Sequence, residues 1–316
     1  MAEYINPRVD WAFKRIFGTE DTKECLITFL NGVFEGEFVI KDVKFLKTEQ
    51  TRHQKRERGV IFDVACVTDE GRHIIVEMQK KEQRYFVDRA LYYSSKAIVE
   101  QAKPGEWDFR LTPVYTVCFM DFIAETGIPC QFRTDIGLEM LNEDVSSEKE
   151  HCKRKTAKTK TKAWKLSDLR YGFEKMRVVF LQLPLFEKKQ PECMEIFDCW
   201  IYVLNNMEHL KEIPFLDKYP VFRKLAAIGD LQKLTPEERE YYEEDVKIMR
   251  DLYATDKWEK EKRRMAIEKA LTEGRAEGET RKSLSIAQKM LLAGLPYSQI
   301  MDFTGLTQEQ IDNLKN

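Results

Sequence analysis

The chain has 316 residues, enough for one large or two small domains with a sizeable core. Hydrophobic residues make up 43% and charged residues 34%, the balance of a soluble, rather helical protein, and no apolar run approaches the roughly 20 residues of a membrane-spanning helix. A formal net charge of −2 excludes a general basic pull on nucleic acid, so any DNA binding has to come from local patches.

The first residues, MAEYINPRVDWAFKRIF, lack the apolar stretch and small-residue cleavage site of a secretion signal. A cytoplasmic protein with no membrane partner is expected. The seven cysteines (25, 66, 118, 130, 152, 193 and 199) form no CxxC pair, and an odd count argues against a full disulfide framework. Reduced core thiols are the expectation.

In chain order, Val9, Phe13, Ile16 and Phe17 fall at helical spacing, and Leu26, Phe29, Leu30, Val33 and Phe34 continue the apolar face in a second helix after Gly18. Val39 to Leu46 reads as a strand, and the basic stretch TRHQKRERG (51–59) as an exposed turn. Two apolar arms then flank a turn at Asp69-Glu70-Gly71, the pattern of a β-hairpin. Phe86 to Gln101 reads as a helix that stops before Pro104-Gly105. Pro113 to Phe122 is a strong strand, Gln131 to Leu138 a weaker one, and Arg177 to Phe186 a last β-rich run beyond a polar, lysine-rich stretch at 142–165. The order helix–β–β–β–helix–β fits an α/β sandwich rather than a long βαβ array.

From about residue 191 the pattern turns helical. Thr235-Pro236-Glu237-Glu238 supplies an N-cap, a proline at N1 and a glutamate at N3, a capping box that opens a helix running without proline to about Ala293. Gly274 and Gly278 weaken it, so a break there is expected. Gly294-Leu-Pro ends it, and two short helices follow, Tyr297 to Phe303 and Thr307 to Leu314, the second with a Thr307/Gln310 capping box.

The chemistry concentrates in VIFDVACVTDEGRHIIVEMQKK, residues 60–81. Side chains alternate along a strand, so Glu77 and Gln79 project to one side and Met78 to the other. A carboxylate on a half-buried strand is unfavourable unless compensated, and Asp63, Glu77 and the amide of Gln79 on one side of a hairpin suggest a site for a hard cation such as Mg²⁺ or Mn²⁺. The residues leave a second reading open, in which Asp63 satisfies backbone amides at a strand end and Glu77 sits on an exposed edge.

The stretch resembles the PD-(D/E)XK nuclease signature, with Gln79 where the pattern has lysine. Around it, DWAFKRIFG (Asp10 to Gly18), FLNGVF (Phe29 to Phe34), FDV…EMQ (Phe62 to Gln79), DRALYYSSKAIVEQ (Asp88 to Gln101), the strand Val114 to Met120 and IAQKMLLAGLPYSQIMDFTGL near the C-terminus resemble the Rpn group of recombination-promoting nucleases, also called PD-(D/E)XK nuclease-family transposases. These motifs in this order cover most of the chain; D-x₁₃-E-x-Q alone would be weak. The resemblance implies an α/β fold, a PD-(D/E)XK restriction-endonuclease-like core with a mixed sheet flanked by helices and an all-helical C-terminal region. It further implies a Mg²⁺-dependent DNA endonuclease linked to DNA transfer or mobile elements. Asp63 and Glu77 would hold the metal, with the Met78 carbonyl as a third ligand. Gln79 can orient a water but brings no positive charge, and Lys81, two residues further along, could partly substitute for the lysine. Asp10 and Lys14, one helical turn apart, match the opening motif as a supporting pair, or form a simple i,i+4 ion pair. There is no acidic triad of the RNase H kind, so "transposase" is a family label.

Arg89 on the helix after the hairpin is a candidate phosphate contact, while Tyr92 and Tyr93 are expected to pack. Lys153, Arg154 and Lys155 lie in a basic segment that reads as a solvated loop or as a source of phosphate contacts. His151-Cys152 has no partner pair at zinc spacing. The expected domains are a nuclease-like domain at 1–190, a helical extension at 191–255, and a charged helix with a short helical hairpin at 256–316. That hairpin superficially suggests a helix-turn-helix. TQEQIDNLK is short and acidic, however, which favours packing against a partner subunit or against the long charged helix; homodimerisation through these helices is preferred, since a dimer would offer two active sites for two strands. The partners are therefore DNA and a second copy of the chain. The rival reading is a weakly active or inactive DNA- or protein-binding scaffold that keeps the nuclease fold.

Overall fold

A six-stranded mixed sheet runs through the first unit of the protein, in the order β1-β2-β3-β4-β6-β5. The computed structural model describes residues 3–47, 61–102, 108, 110–138 and 175–314. The turn expected at 51–59, the stop at Pro104-Gly105 and the lysine-rich stretch with Cys152, Lys153, Arg154 and Lys155 lie outside the described residues. The strands are β1 (Val43–Phe45), β2 (Val64–Thr68), β3 (His73–Gln79), β4 (Val114–Met120), β5 (Arg133–Gly137) and β6 (Met176–Gln182). β1, β2 and β3 form an antiparallel meander, whereas β3, β4 and β6 are parallel and β5 closes the far edge antiparallel to β6. The β2–β3 turn places Gly71 at φ 81°, a left-handed position that glycine takes without strain. The strand expected over Val39 to Leu46 is shorter, because pairing with β2 covers only Val43 to Phe45.

Parallel β3 and β4 need a crossover, and α3 (Phe86–Val99) supplies it. Alternation sorts the strand residues between two faces. Ile74, Val76 and Met78 enter the larger core with residues of α1 (Asp10–Phe17), α2 (Lys23–Val33) and α4 (Ile196–Asn206), while Ile75 packs with Ala97 and Tyr93 of α3. The centre of the larger core is aromatic: Phe119 of β4 lies 5.0 Å from Phe29 and 5.6 Å from Phe13, and Phe17 lies 5.5 Å from Trp200. Gly32 lets α2 approach α4 closely, since a Cβ there would stand 3.0 Å from the Phe197 backbone. Five of the cysteines are free and buried, as expected, but Cys130 is exposed.

After α5 (Val221–Gly229), the capping box at Thr235 forms as read. Thr235 N–H donates to Glu238 Oε2 at 2.9 Å and Glu238 N–H to Thr235 Oγ1 at 3.2 Å. α6 then runs from Pro236 to Leu292 as one 57-residue helix. Gly274 and Gly278 do not break it; each lowers helix propensity, but neither imposes a turn. The chain divides into two compact units, Met1–Arg250 and Asp251–Asn316. In the second, Gly294 at φ 78° ends α6, and α7 (Tyr297–Thr304) and α8 (Gln308–Asp312) close on it around Ala287, Ile300, Leu306 and Ile311. The Thr307/Gln310 capping box is present. Among the described residues no helix is long and apolar enough to cross a membrane.

Phe119 is fully buried between Phe13, Phe17 and Phe29. Phe119→Ala is expected to lower stability by about 3–5 kcal/mol, a fall in Tm on the order of 10 °C, read by thermal denaturation.

Candidate active site

The hairpin register builds the site. Val64 pairs with Val76 and Ala65 with Ile75, which sets Asp63, one residue before β2, opposite Glu77. Both are largely withdrawn from water, with Glu77 9% exposed. The Met78 N–H donates to Asp63 Oδ2 at 2.8 Å, and the Asp63 N–H donates to Glu77 Oε1 at 3.4 Å. The carboxylate pair is therefore stitched across the strands by backbone. The exposed-edge reading of Glu77 is excluded by its burial.

Two acids in a dry notch resist ionising together. Burial, and then the charge of Asp63, push the Glu77 carboxyl up to about 8. Burial also raises Asp63, against the pull of the Met78 N–H. Lys14 is the described cation whose charge favours ionisation of both acids; Arg89 acts on Glu77, and Lys80 acts on Asp63.

α1 brings Asp10 and Lys14 to this place. Their side chains pair at 2.8 Å, so the i,i+4 ion pair exists, and the charges of both bear on Asp63. Burial alone would lower the Lys14 pKa, but the bond and charge of Asp10, with the charges of Asp63 and Asp245, leave it raised. The Val9 side chain makes no cap bond at the start of α1; instead Asp245 of α6, 234 residues away, accepts from the Trp11 N–H at 2.8 Å.

Gln79 ends β3. Its Oε1 accepts from Arg89, and its Nε2 donates to the Lys81 carbonyl at 2.8 Å. Arg89 also donates to Gln83. Strand alternation ends with Gln79, and the charge of the next residue, Lys80, reaches Asp63 as that of Lys14 does. Sequence reading passed over Lys80 because strand parity assigns it to the Met78 side. Tyr93 packs on Phe62 at 5.6 Å as expected, whereas Tyr92 is 44% exposed, with Lys96 over its ring.

Among the described residues no group of three or more His, Cys, Asp or Glu gathers as a metal cage. A pair of carboxylates suits a cation that keeps several waters and takes substrate phosphate as a ligand, the habit of Mg²⁺. The Asp63–Glu77 pair fits such an ion: hard oxygen donors in a buried notch, mutually repelling without a cation. The Met78 thioether lies in the core, so only the backbone of that residue can take part.

A mixed sheet flanked by helices, carrying its acids on the β2–β3 hairpin, is the arrangement of the PD-(D/E)XK nuclease-like class. A family model described as PD-(D/E)XK nuclease family transposase matches residues 7–147 and 146–257, and the chain belongs to that family. A second, described as Rpn/YhgA-like nuclease family, C-terminal HTH domain, matches residues 280–316. No curated protein and no solved structure matches the chain. The C-terminal match establishes the helix-turn-helix that the sequence only superficially suggested, while the expected packing against the long charged helix is present, with Ala287 of α6 in one core with Ile300, Leu306 and Ile311. The shortness and acidity of TQEQIDNLK misled, because the three-helix core of α6, α7 and α8 defines the motif rather than the charge of its last helix.

A carboxyl with a raised pKa binds its proton more tightly in the folded state, so its contribution to stability is complete below the unfolded value and lost as pH rises. For Glu77 the window runs from 4.5 to about 8. In EDTA the Tm is expected to fall as pH rises from 5 to 8, and Glu77→Gln to flatten that fall. A fall of equal slope in the variant would remove Glu77 as its source.

Proposed function

We propose that the protein is a divalent-cation-dependent DNA endonuclease that hydrolyses phosphodiester bonds. The observation that carries this reading is the buried Asp63–Glu77 pair, held across the hairpin by the Met78 and Asp63 N–H groups. Asp63 and Glu77 would hold Mg²⁺ or Mn²⁺, with the Met78 backbone carbonyl as a further donor. When bound, such an ion supplies activation of a water and neutralisation of charge on the phosphate. The chain's own contribution is positional. The Met78 N–H fixes one oxygen of Asp63, and Lys14, held by Asp10, brings a charge that favours ionisation of both carboxylates, opposed at Asp63 by the charge of Asp10 itself. Gln79 and Lys81 belong to the same strand end.

Family membership supports DNA as the substrate and a link to recombination or mobile-element transfer. DNA would be held by the C-terminal helix-turn-helix and by Lys153, Arg154 and Lys155, with Arg89 facing the reacting phosphate. The partition into a nuclease-like domain (1–190), a helical extension (191–255) and a charged helix with its hairpin (256–316) is retained, as is a cytoplasmic location. Trp258, Met265, Ile267 and Leu271 are exposed on α6 and supply apolar surface for a homodimer through the C-terminal helices.

Plasmid incubated with the purified chain and Mg²⁺ or Mn²⁺ is expected to be nicked or linearised. Asp63→Ala and Glu77→Ala should lower the rate by about 10²-fold or more. EDTA should abolish cleavage. Wild-type protein that binds DNA but cuts no faster than Asp63→Ala would establish the scaffold instead. For the dimer, light scattering should give twice the chain mass, falling to one chain in Trp258→Glu/Leu271→Glu; a wild-type monomer would remove that part of the reading.

A further inference from the structure

The lysine missing at position 79 leaves the site without the positive charge that the PD-(D/E)XK pattern places two residues after its glutamate. Gln79 is not idle there. An arginine can only donate hydrogen bonds, so the amide oxygen must face Arg89, and the NH₂ group then meets the Lys81 carbonyl at 2.8 Å. The amide thus acts as a bracket between a guanidinium and a carbonyl. Arg89 is restrained further by Gln83, by the ring of Phe86 at 5.2 Å and by that of Tyr93 at 5.6 Å. The helix that carries it starts from Tyr85 in the left-handed conformation, φ 66°, which turns the chain from the strand end into α3. Glu77 and Cys118, on the sheet face that α3 covers, and Tyr93 of α3 itself all lie within the reach of the Arg89 charge.

We propose that Gln79 is a positioning residue whose task is to hold Arg89, and that the Arg89 guanidinium supplies beside Glu77 the cation that the pattern assigns to lysine. This rests on the endonuclease reading and deepens it. It also separates Arg89 from an ordinary phosphate contact: its charge serves the reacting phosphate, not DNA affinity in general. A guanidinium is always charged and cannot act as a base, so its role is electrostatic.

The test is a set of full-chain variants (Arg89→Ala, Arg89→Lys, Gln79→Ala, Gln79→Lys and the double variant Gln79→Lys/Arg89→Ala), with DNA affinity measured in Ca²⁺ and plasmid cleavage in Mg²⁺. Arg89→Ala is expected to lower the turnover rate by about 10²-fold with DNA affinity unchanged, and the double variant to recover about tenfold or more of the loss. Arg89→Lys should fall between, and Gln79→Ala should lose rate through the released arginine. A parallel loss of DNA affinity and rate in Arg89→Ala, with nothing recovered by lysine at 79, would overturn the assignment. Cleavage by no variant, wild type included, would sink the nuclease reading separately. Mn²⁺ binding followed by calorimetry then decides the placement of the charge. A cation beside the carboxylates weakens Mn²⁺ binding, so Arg89→Gln and Gln79→Ala should each bind Mn²⁺ a few-fold more tightly. Unchanged Mn²⁺ affinity in both would overturn it.

Discussion

Two carboxylic acids facing one another across an antiparallel hairpin, Glu77 buried and Asp63 partly so, are the constraint around which this protein is arranged. One residue of slip between β2 and β3 would send Glu77 into the aromatic core and Met78 to the site. The register is held by Val64 opposite Val76 and by apolar side chains on both faces of both strands. The same burial that enforces the register makes the acids reluctant to ionise. Stability of the hairpin and readiness for a cation thus have one origin.

The surroundings temper that repulsion without abolishing it. The Met78 N–H steadies Asp63, and Lys14, Lys80 and Arg89 approach from three different elements or strand ends. Two of these cations are themselves engaged: Lys14 with Asp10, Arg89 with Gln79 and Gln83. A free lysine in the notch would neutralise the acids outright and compete with a divalent ion. Cations held by neighbours act through their field and leave the carboxylate oxygens open. The N-terminal helix is drawn into this arrangement by Asp245, which caps α1 from a helix 234 residues away in sequence.

The second unit is built on different terms. Its small core of Ala287, Ile300, Leu306 and Ile311 is set by two left-handed glycines and a capping box. The helix-turn-helix match covers residues 280–316, and the chain as a whole has a formal net charge of only −2.

Sequence by itself determined the hairpin, its Asp-Glu-Gly turn, the alternation that pairs Glu77 with Gln79, the buried strands and both capping boxes. These follow from periodicity and local backbone chemistry within a few residues. It also carried the family, through motifs spread over most of the chain. The weaker readings failed where a local signal met a non-local fact. The strand at Val39 to Leu46 shrank to what β2 could pair with, and two glycines in α6 did not break it. The C-terminal hairpin's acidity outweighed its topology in the reading. Only tertiary structure decided which cation meets which acid. Strand parity ends with the strand, so it passed over Lys80, whose charge reaches Asp63. The guanidinium that Gln79 holds comes from the next helix, where side-chain directions depend on how α3 packs on the sheet. Charges act through space, and the distances between elements are fixed by the packing of the whole core, which no window of sequence contains.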